Sequence, residues 1–168
     1  MLFLFLALVG FASIISIVGY SLHYGISPMP SSKKCCRVMV GLAEGRVAEL
    51  GAGFGGVSCA LKKKGCQLES FEISFLPYWI CRLRGVRAKR KDFFDADLSS
   101  FDTIICYLYP GAMEKLRLKF ERELKPGTLV ITNTFAVPGW KPTKVFTIDD
   151  LYRSRVISYL FCGDVLDE

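Results

Sequence analysis

Arg46-Val47-Ala48-Glu49-Leu50, a strand-forming run, leads without a break into Gly51-Ala52-Gly53-Phe54-Gly55-Gly56. Behind it, residues 57–64 are good helix formers that stop at Gly65. Few folds can house a strand, a glycine turn and a helix in immediate succession. Glycine has no Cβ, so the backbone turns tightly there and can come close to a ligand, while the helix start behind it offers unpaired N–H donors. A strand that feeds a helix in this way needs a parallel neighbour reached by a crossover, so the rest of the chain should alternate β and α.

It does. Residues 67–73 read as a second strand, with Leu68, Phe71 and Ile73 apolar, and residues 77–83 as a helix with Pro77 near its first turn. A weak third strand at 86–89 precedes a strong fourth at 103–108, apolar enough to be central in a parallel sheet. Residues 112–124 place Met113, Leu116, Phe120 and Leu124 on one helical face, Lys125-Pro126-Gly127 ends that helix, and residues 128–135 are a fifth strand. Two more β runs, 144–148 and 155–161, are joined by too few residues for a crossover helix and should form an antiparallel hairpin at a sheet edge. The expected fold is an open, mostly parallel, Rossmann-like α/β sheet with helices on both faces, in one domain over 43–168.

The first 32 residues differ in kind. They hold no Lys, Arg, Asp or Glu, and residues 2–20 are apolar except for Ser13 and Ser16. At about 1.5 Å per residue this run is about 28 Å long, the thickness of a bilayer's hydrocarbon core. It predicts one transmembrane helix over residues 1–24, followed by a linker and a short covering helix over 25–42. A cleaved signal peptide competes with this reading, but it calls for a basic residue before the apolar run and a small-residue cleavage site after it. The first cations, Lys33, Lys34 and Arg37, follow the apolar run and place the domain of a single-pass membrane protein on the cytoplasmic or equivalent side.

The net charge of +6 suits a domain lying near anionic lipid. Arg82, Arg84, Arg87, Lys89, Arg90 and Lys91, with Lys62 to Lys64, form a basic face, and no RNA- or DNA-binding motif accompanies it. The seven cysteines show no CxxC pair, and the only histidine is His23 beside the apolar run, so no metal site is predicted and the thiols read as reduced.

The glycine spacing alone serves two cofactors: in dinucleotide enzymes the loop takes a pyrophosphate, in methyltransferases the amino-acid end of S-adenosylmethionine. Of three nearby carboxylates, the first bears on the choice and the second serves both families. Glu49, two residues before the first glycine, stands where nicotinamide folds have a small residue. Glu72 follows Gly53 by 19 residues at the end of the second strand, the place of a carboxylate that accepts ribose hydroxyls. Asp92, in Lys91-Asp92-Phe93-Phe94 after the third strand, is placed to accept an adenine amino group with an aromatic beside it, although Asp95 and Asp97 are alternatives.

These pieces, in this order, resemble the seven-strand S-adenosylmethionine-dependent methyltransferases, and among them the small membrane-anchored protein-lysine methyltransferases of mitochondria and their bacterial relatives. The resemblance rests on Pro28-x-Pro30-Ser31-Ser32, Glu49-Leu-Gly-Ala-Gly53, Phe71-Glu72-Ile73-Ser74-x-x-Pro77 and Lys91-Asp92. Tyr107-Leu-Tyr-Pro-Gly-Ala-Met113 and Pro138-Gly-Trp-Lys-Pro142 complete it. It implies cofactor contacts from Glu49, Gly51, Ala52, Gly53, Gly55, Glu72, Ile73, Asp92 and Phe93. Of these, Glu49, Gly51 and Gly53 would meet the methionine portion, Glu72 the ribose and Asp92 the adenine. Tyr109 and Pro110 would align the nucleophile, Met113 would face the substrate, and Trp140 would close that side. The chain departs from the family at Phe54 and Gly56, where an acidic residue and an arginine are usual.

Methyl transfer from a sulfonium is an in-line displacement that needs alignment and exclusion of water rather than an acid–base triad. The function expected is N-methylation of lysine side chains in a protein substrate by a membrane-anchored enzyme, with lipid met through residues 1–24 and the basic face. A small-molecule or lipid methyltransferase, or a non-catalytic binding module that keeps the fold, are the alternatives.

Overall fold

The computed structural model describes residues 31–163, together with the isolated positions Met1, Leu4, Phe11 and Gly19. The predicted anchor and the linker to residue 30 therefore lie almost wholly outside the described residues. Among the described residues no helix is long and apolar enough to cross a membrane.

Seven strands form one sheet: β1 (Arg46–Leu50), β2 (Gln67–Phe71), β3 (Ala88–Lys89), β4 (Thr103–Cys106), β5 (Leu129–Asn133), β6 (Lys144–Thr147) and β7 (Arg155–Leu160). Their order across the sheet is β3-β2-β1-β4-β5-β7-β6. The first five strands are parallel, while β7 runs antiparallel to both β5 and β6. This is the expected mostly parallel sheet with its C-terminal hairpin at one edge. Parallel neighbours require crossovers, and α2 (Gly56–Lys64), α3 (Phe75–Leu83) and α4 (Pro110–Glu123) supply them.

Side-chain alternation along the strands sorts the core into two layers. Ala48, Leu50, Ile104, Cys106 and Val130 face α4, where Ala112, Met113, Leu116 and Phe120 recur at helical spacing and are buried. Val47, Ile105, Ile131 and, from the antiparallel β7, Val156 face the other way, onto Val57 and Leu61 of α2 and Cys35 and Met39 of α1 (Lys33–Leu42). Each large side chain buried in this way contributes about 1.5–3 kcal/mol, so losing one such as Phe120 would cost about 3–5 kcal/mol with the cavity included.

Local chemistry sets the ends of the elements. Ser32 caps α1 by accepting the Cys35 N–H at 3.2 Å, and its own hydroxyl donates to Asp150 in the β6–β7 turn at 2.8 Å. Pro110 opens α4 at a position where a missing N–H costs nothing. α3 starts at Phe75, two residues earlier than the proline suggested, because a first-turn proline interrupts no helical bond. β2 stops at Phe71 rather than continuing to Ile73, and β4 stops at Cys106 rather than Leu108. The early stop of β2 leaves Glu72 and Ile73 beyond the strand end, with the Glu72 N–H still donating to the Lys89 carbonyl at 3.0 Å.

Candidate functional site

The strand order reverses between β1 and β4, so the segments that follow them part company and leave a crevice at the carboxyl edge of the sheet. Four segments meet at that edge: the glycine loop after β1, Glu72-Ile73-Ser74 after β2, Asp92-Phe93-Phe94 after β3, and Tyr107 to Gly111 after β4.

The glycine loop is bound to the end of β2. The N–H groups of Gly51 and Ala52 both donate to the Phe71 carbonyl at 3.0 Å, and Gly55 N–H closes a turn on Ala52 at 2.9 Å. Gly53 has φ 54° and Gly55 φ 76°, a left-handed region that costs other residues about 1–2 kcal/mol. A Cβ on Gly53 would meet nothing within 4 Å, so the loop's outer side faces open space, whereas one on Gly55 would sit 3.0 Å from Cys81 Sγ. The first turn of α2 follows with no side chain capping it, which leaves its N–H groups free for an anionic group.

Glu72 holds this loop. One carboxylate oxygen accepts the Gly53 N–H at 2.7 Å and the other the Ser74 N–H at 2.8 Å. Burial raises its pKa above the ordinary carboxylate value, and the two N–H donors oppose the shift. Glu49 is more deeply enclosed, at 5% exposure. Its carboxylate accepts the Ser58 hydroxyl of α2 and, at 3.2 Å, the Ser70 hydroxyl of β2. Burial pushes Glu49 up to about 7 despite those bonds. Neither serine belongs to a recognisable motif; Ser70 lies beside Glu49 on the neighbouring strand and Ser58 on the helix packed over that face. The Cys81 thiol, 3.2 Å from the Gly53 carbonyl, is pushed up to about 12 by burial and by the nearby Glu49 and Glu72.

These donors fit S-adenosylmethionine better than a dinucleotide. A carboxylate at the ribose position, Glu72, serves either cofactor, but the buried acid Glu49 beside the loop suits a ligand that carries a sulfonium and an ammonium rather than a pyrophosphate. The free N–H groups at the start of α2 would take its carboxylate. Asp92 accepts the Phe94 N–H at 2.9 Å and caps a short 3-10 turn, Phe93–Asp95. It stays half-buried at the same edge, while Phe93 itself is buried in the core with its ring 4.7 Å from that of Phe94.

After β4, Tyr109 precedes α4 and is 45% exposed, with its ring folded over Gly111. Tyr107 stacks on Phe135 with centroids 6.4 Å apart, joining the end of β4 to the segment after β5. Tyr109 and Pro110 thus stand across the crevice from the glycine loop. Phe54 is exposed on that loop, and its carbonyl accepts a bond from the Arg84 guanidinium, so an arginine from the end of α3 steadies the position where the sequence departs from the pattern it resembles.

Two expectations are corrected. Met113 is 1% exposed, with its sulfur 3.9 Å from Cys106 Sγ, because the helical phase that buries Leu116 and Phe120 also buries Met113. It packs behind the site instead of meeting a substrate. Trp140 stacks on Phe161 at 5.2 Å and donates from its indole nitrogen to Glu121 at 3.1 Å. Phe161 pairs with Thr128 just before β5, at the opposite end of the sheet from the glycine loop. Trp140 therefore closes the core under α4 rather than the crevice.

Comparison with known proteins agrees with this geometry. A family model described as the ANTKMT methyltransferase domain matches residues 49–144. A protein-lysine N-methyltransferase of Saccharolobus islandicus is 37% identical over 73 residues, covering 44% of this chain and 45% of that protein. A human lysine N-methyltransferase named for the ATP synthase is 29% identical over 115 residues, covering 64% of this chain and 49% of that protein. The chain thus spans about half the length of the curated relatives it matches. An RNA methyltransferase from Salinibacter ruber, solved with S-adenosyl-L-homocysteine, superposes with a TM-score of 0.74 at 25% identity over 83% of this chain and 98% of that one. From its glycine loop to its seven-strand sheet, the chain belongs to the ANTKMT methyltransferase-domain family of S-adenosylmethionine-dependent methyltransferases.

Proposed function

We propose that the chain N-methylates lysine side chains of a protein substrate while residues 1–24 hold it to a membrane. The observation that carries the transfer is the crevice itself: a loop fixed by Glu72 on one side and the exposed Tyr109-Pro110 turn on the other. S-adenosylmethionine, when bound, supplies the methyl group as a sulfonium that needs no acid to activate it.

The chain's own residues then bind and align. Glu72 receives the ribose hydroxyls on the lone pairs left by Gly53 and Ser74. The first N–H groups of α2 hold the carboxylate, with Gly51, Ala52 and Gly55 shaping the backbone that approaches it. Ile73 and Asp92 flank the adenine. Tyr109 and Pro110 direct an amine that has already lost its proton toward the methyl carbon. No histidine lies among the described residues, and an amine nucleophile that enters neutral needs no such base. The names of the two curated relatives, both lysine N-methyltransferases, support lysine as the acceptor.

The apolar run at 1–24, with Lys33, Lys34 and Arg37 behind it, supports a single-pass anchor with the domain on the cytoplasmic or equivalent side. Tethering would raise the local concentration of a membrane-borne substrate. The test is transfer of labelled methyl from S-adenosylmethionine by the full chain in a membrane extract. Label recovered as methyllysine after protein hydrolysis is expected. Label in lipid or RNA would overturn the acceptor, and no cofactor binding by calorimetry would overturn the enzyme.

A further inference from the structure

α3 turns its most apolar side outward. Phe75, Leu76, Trp79 and Leu83 are 61%, 40%, 47% and 85% exposed. At about 100° per residue they fall within an arc of about 100°, one stripe on the side away from the buried Pro77 and Cys81. Phe75 and Trp79 touch edge to face at 6.2 Å, and Arg90 lies over the Phe75 ring at 5.4 Å.

The surrounding charge is of one sign. Residues 73–91 carry six Lys or Arg and no Asp or Glu, which equals the whole +6 of the chain, so the remainder is balanced. Among the described residues, Lys89 alone of those six cations pairs with a carboxylate, Glu69 at 2.6 Å. A groove of about 890 Å³ opens at the C-terminal end of α3, lined in part by Lys62, Arg82, Gly85 and Arg87. Its single carboxylate, Glu69, is already shared by Arg46 and Lys89.

We infer that this face docks on the surface of an anionic lipid bilayer, with Phe75, Trp79 and Leu83 in the headgroup region and the arginines and groove taking lipid phosphates. Aromatic rings that settle at the interface, aliphatic tips and unpaired arginines around them are what an interfacial helix presents to such a membrane. A nucleic-acid surface would use aromatic rings and cations, but Leu76 and Leu83 offer no face on which a base could stack. The inference deepens the basic-face part of the membrane reading and does not rest on lysine transfer.

The test uses the full chain reconstituted in vesicles of phosphatidylcholine, with or without a quarter of phosphatidylserine, the acyl chains being brominated in a parallel set. Trp79 emission should shift to the blue and be quenched by bromine only where phosphatidylserine is present. Trp79→Phe should remove that signal, since Trp140 is packed inside. Each basic residue near an anionic surface adds roughly fivefold to attraction, so Arg82→Glu with Arg87→Glu should weaken docking at least about 25-fold. High salt should do the same.

Retention of the chain on vesicles without phosphatidylserine reports the N-terminal segment, so the two membrane contacts fail separately. Quenching that ignores phosphatidylserine, or that survives Trp79→Phe, would overturn the inference. So would a Trp79 response to polyuridylate and none to lipid.

Discussion

Glu49→Gln should make the domain more stable at neutral and alkaline pH and leave it unchanged in weak acid. In the folded chain burial pushes Glu49 up to about 7, against an ordinary value of 4.5. Below about 4.5 the carboxyl is protonated whether the chain is folded or not, and it costs nothing. Between about 4.5 and about 7 the unfolded chain releases a proton that the folded chain keeps, so stability falls as pH rises. Above about 7 the folded chain carries an enclosed carboxylate and the loss is complete. At about 1.4 kcal/mol per tenfold in proton concentration, the loss is on the order of 3 kcal/mol. A glutamine keeps the shape, can accept from Ser58 and Ser70, and has nothing to ionise. With a urea slope of about 2 kcal/mol per molar, the midpoint at pH 8 should rise by roughly 1–2 M, and the two proteins should coincide at pH 4.5. Urea unfolding of the full chain in detergent micelles, followed by tryptophan emission, measures both. Glu72 shifts in the same direction and is present in both proteins, so only its repulsion of Glu49 enters the difference, and relief of that repulsion favours the glutamine variant as well. Equal midpoints at pH 8 would refute the assignment of a buried, reluctantly ionised Glu49.

Glu72→Ala removes both bonds that fix the glycine loop and should weaken S-adenosylmethionine binding at least about tenfold by calorimetry, since each charge-assisted bond is worth about 1.5–3 kcal/mol. Gly111→Ala would place a methyl 2.6 Å from the Tyr109 hydroxyl and displace its ring. Turnover should fall by about 10- to 100-fold with cofactor affinity intact, while thermal stability holds or rises because alanine suits a helix better. Asp150 is held at about 2, chiefly by the Ser154 N–H and then by the Ser32 hydroxyl, so its contribution is present above about 4 and is lost as pH falls toward 2. Asp150→Asn should therefore lower the urea midpoint above about pH 4 and remove its fall between about pH 4 and about pH 2, so that the two proteins converge toward about pH 2.

The alternation of elements was legible because each strand and helix carries its own period, and the loop was legible because glycines at that spacing have few other uses. The carboxylates followed from their distance to the loop. Trp140 was misplaced because its position depends on where residues 134–143 travel between β5 and β6, and no local preference records that path. Met113 follows the same helical phase as Leu116, which argues for the core; the nearby turn drew it into the site. Ser58 and Ser70 left no trace as Glu49 partners, since a hydrogen bond across two elements depends on register alone. Nor did Arg84, whose bond to Phe54 spans 30 residues.

The position of β7 has a consequence for how the protein is made. Of the seven strands described it is made last, yet it lies inside the sheet, between β5 and the earlier-made β6. Until residues 155–160 emerge, β5 presents a bare hydrogen-bonding edge, β6 has no partner, and the turn that brings Asp150 to Ser32 is not closed by a hairpin. A nascent chain paused before that point would expose two unpaired strands of the kind that recruit other chains. The time between the emergence of β5 and that of residues 155–160 thus becomes a determinant of yield.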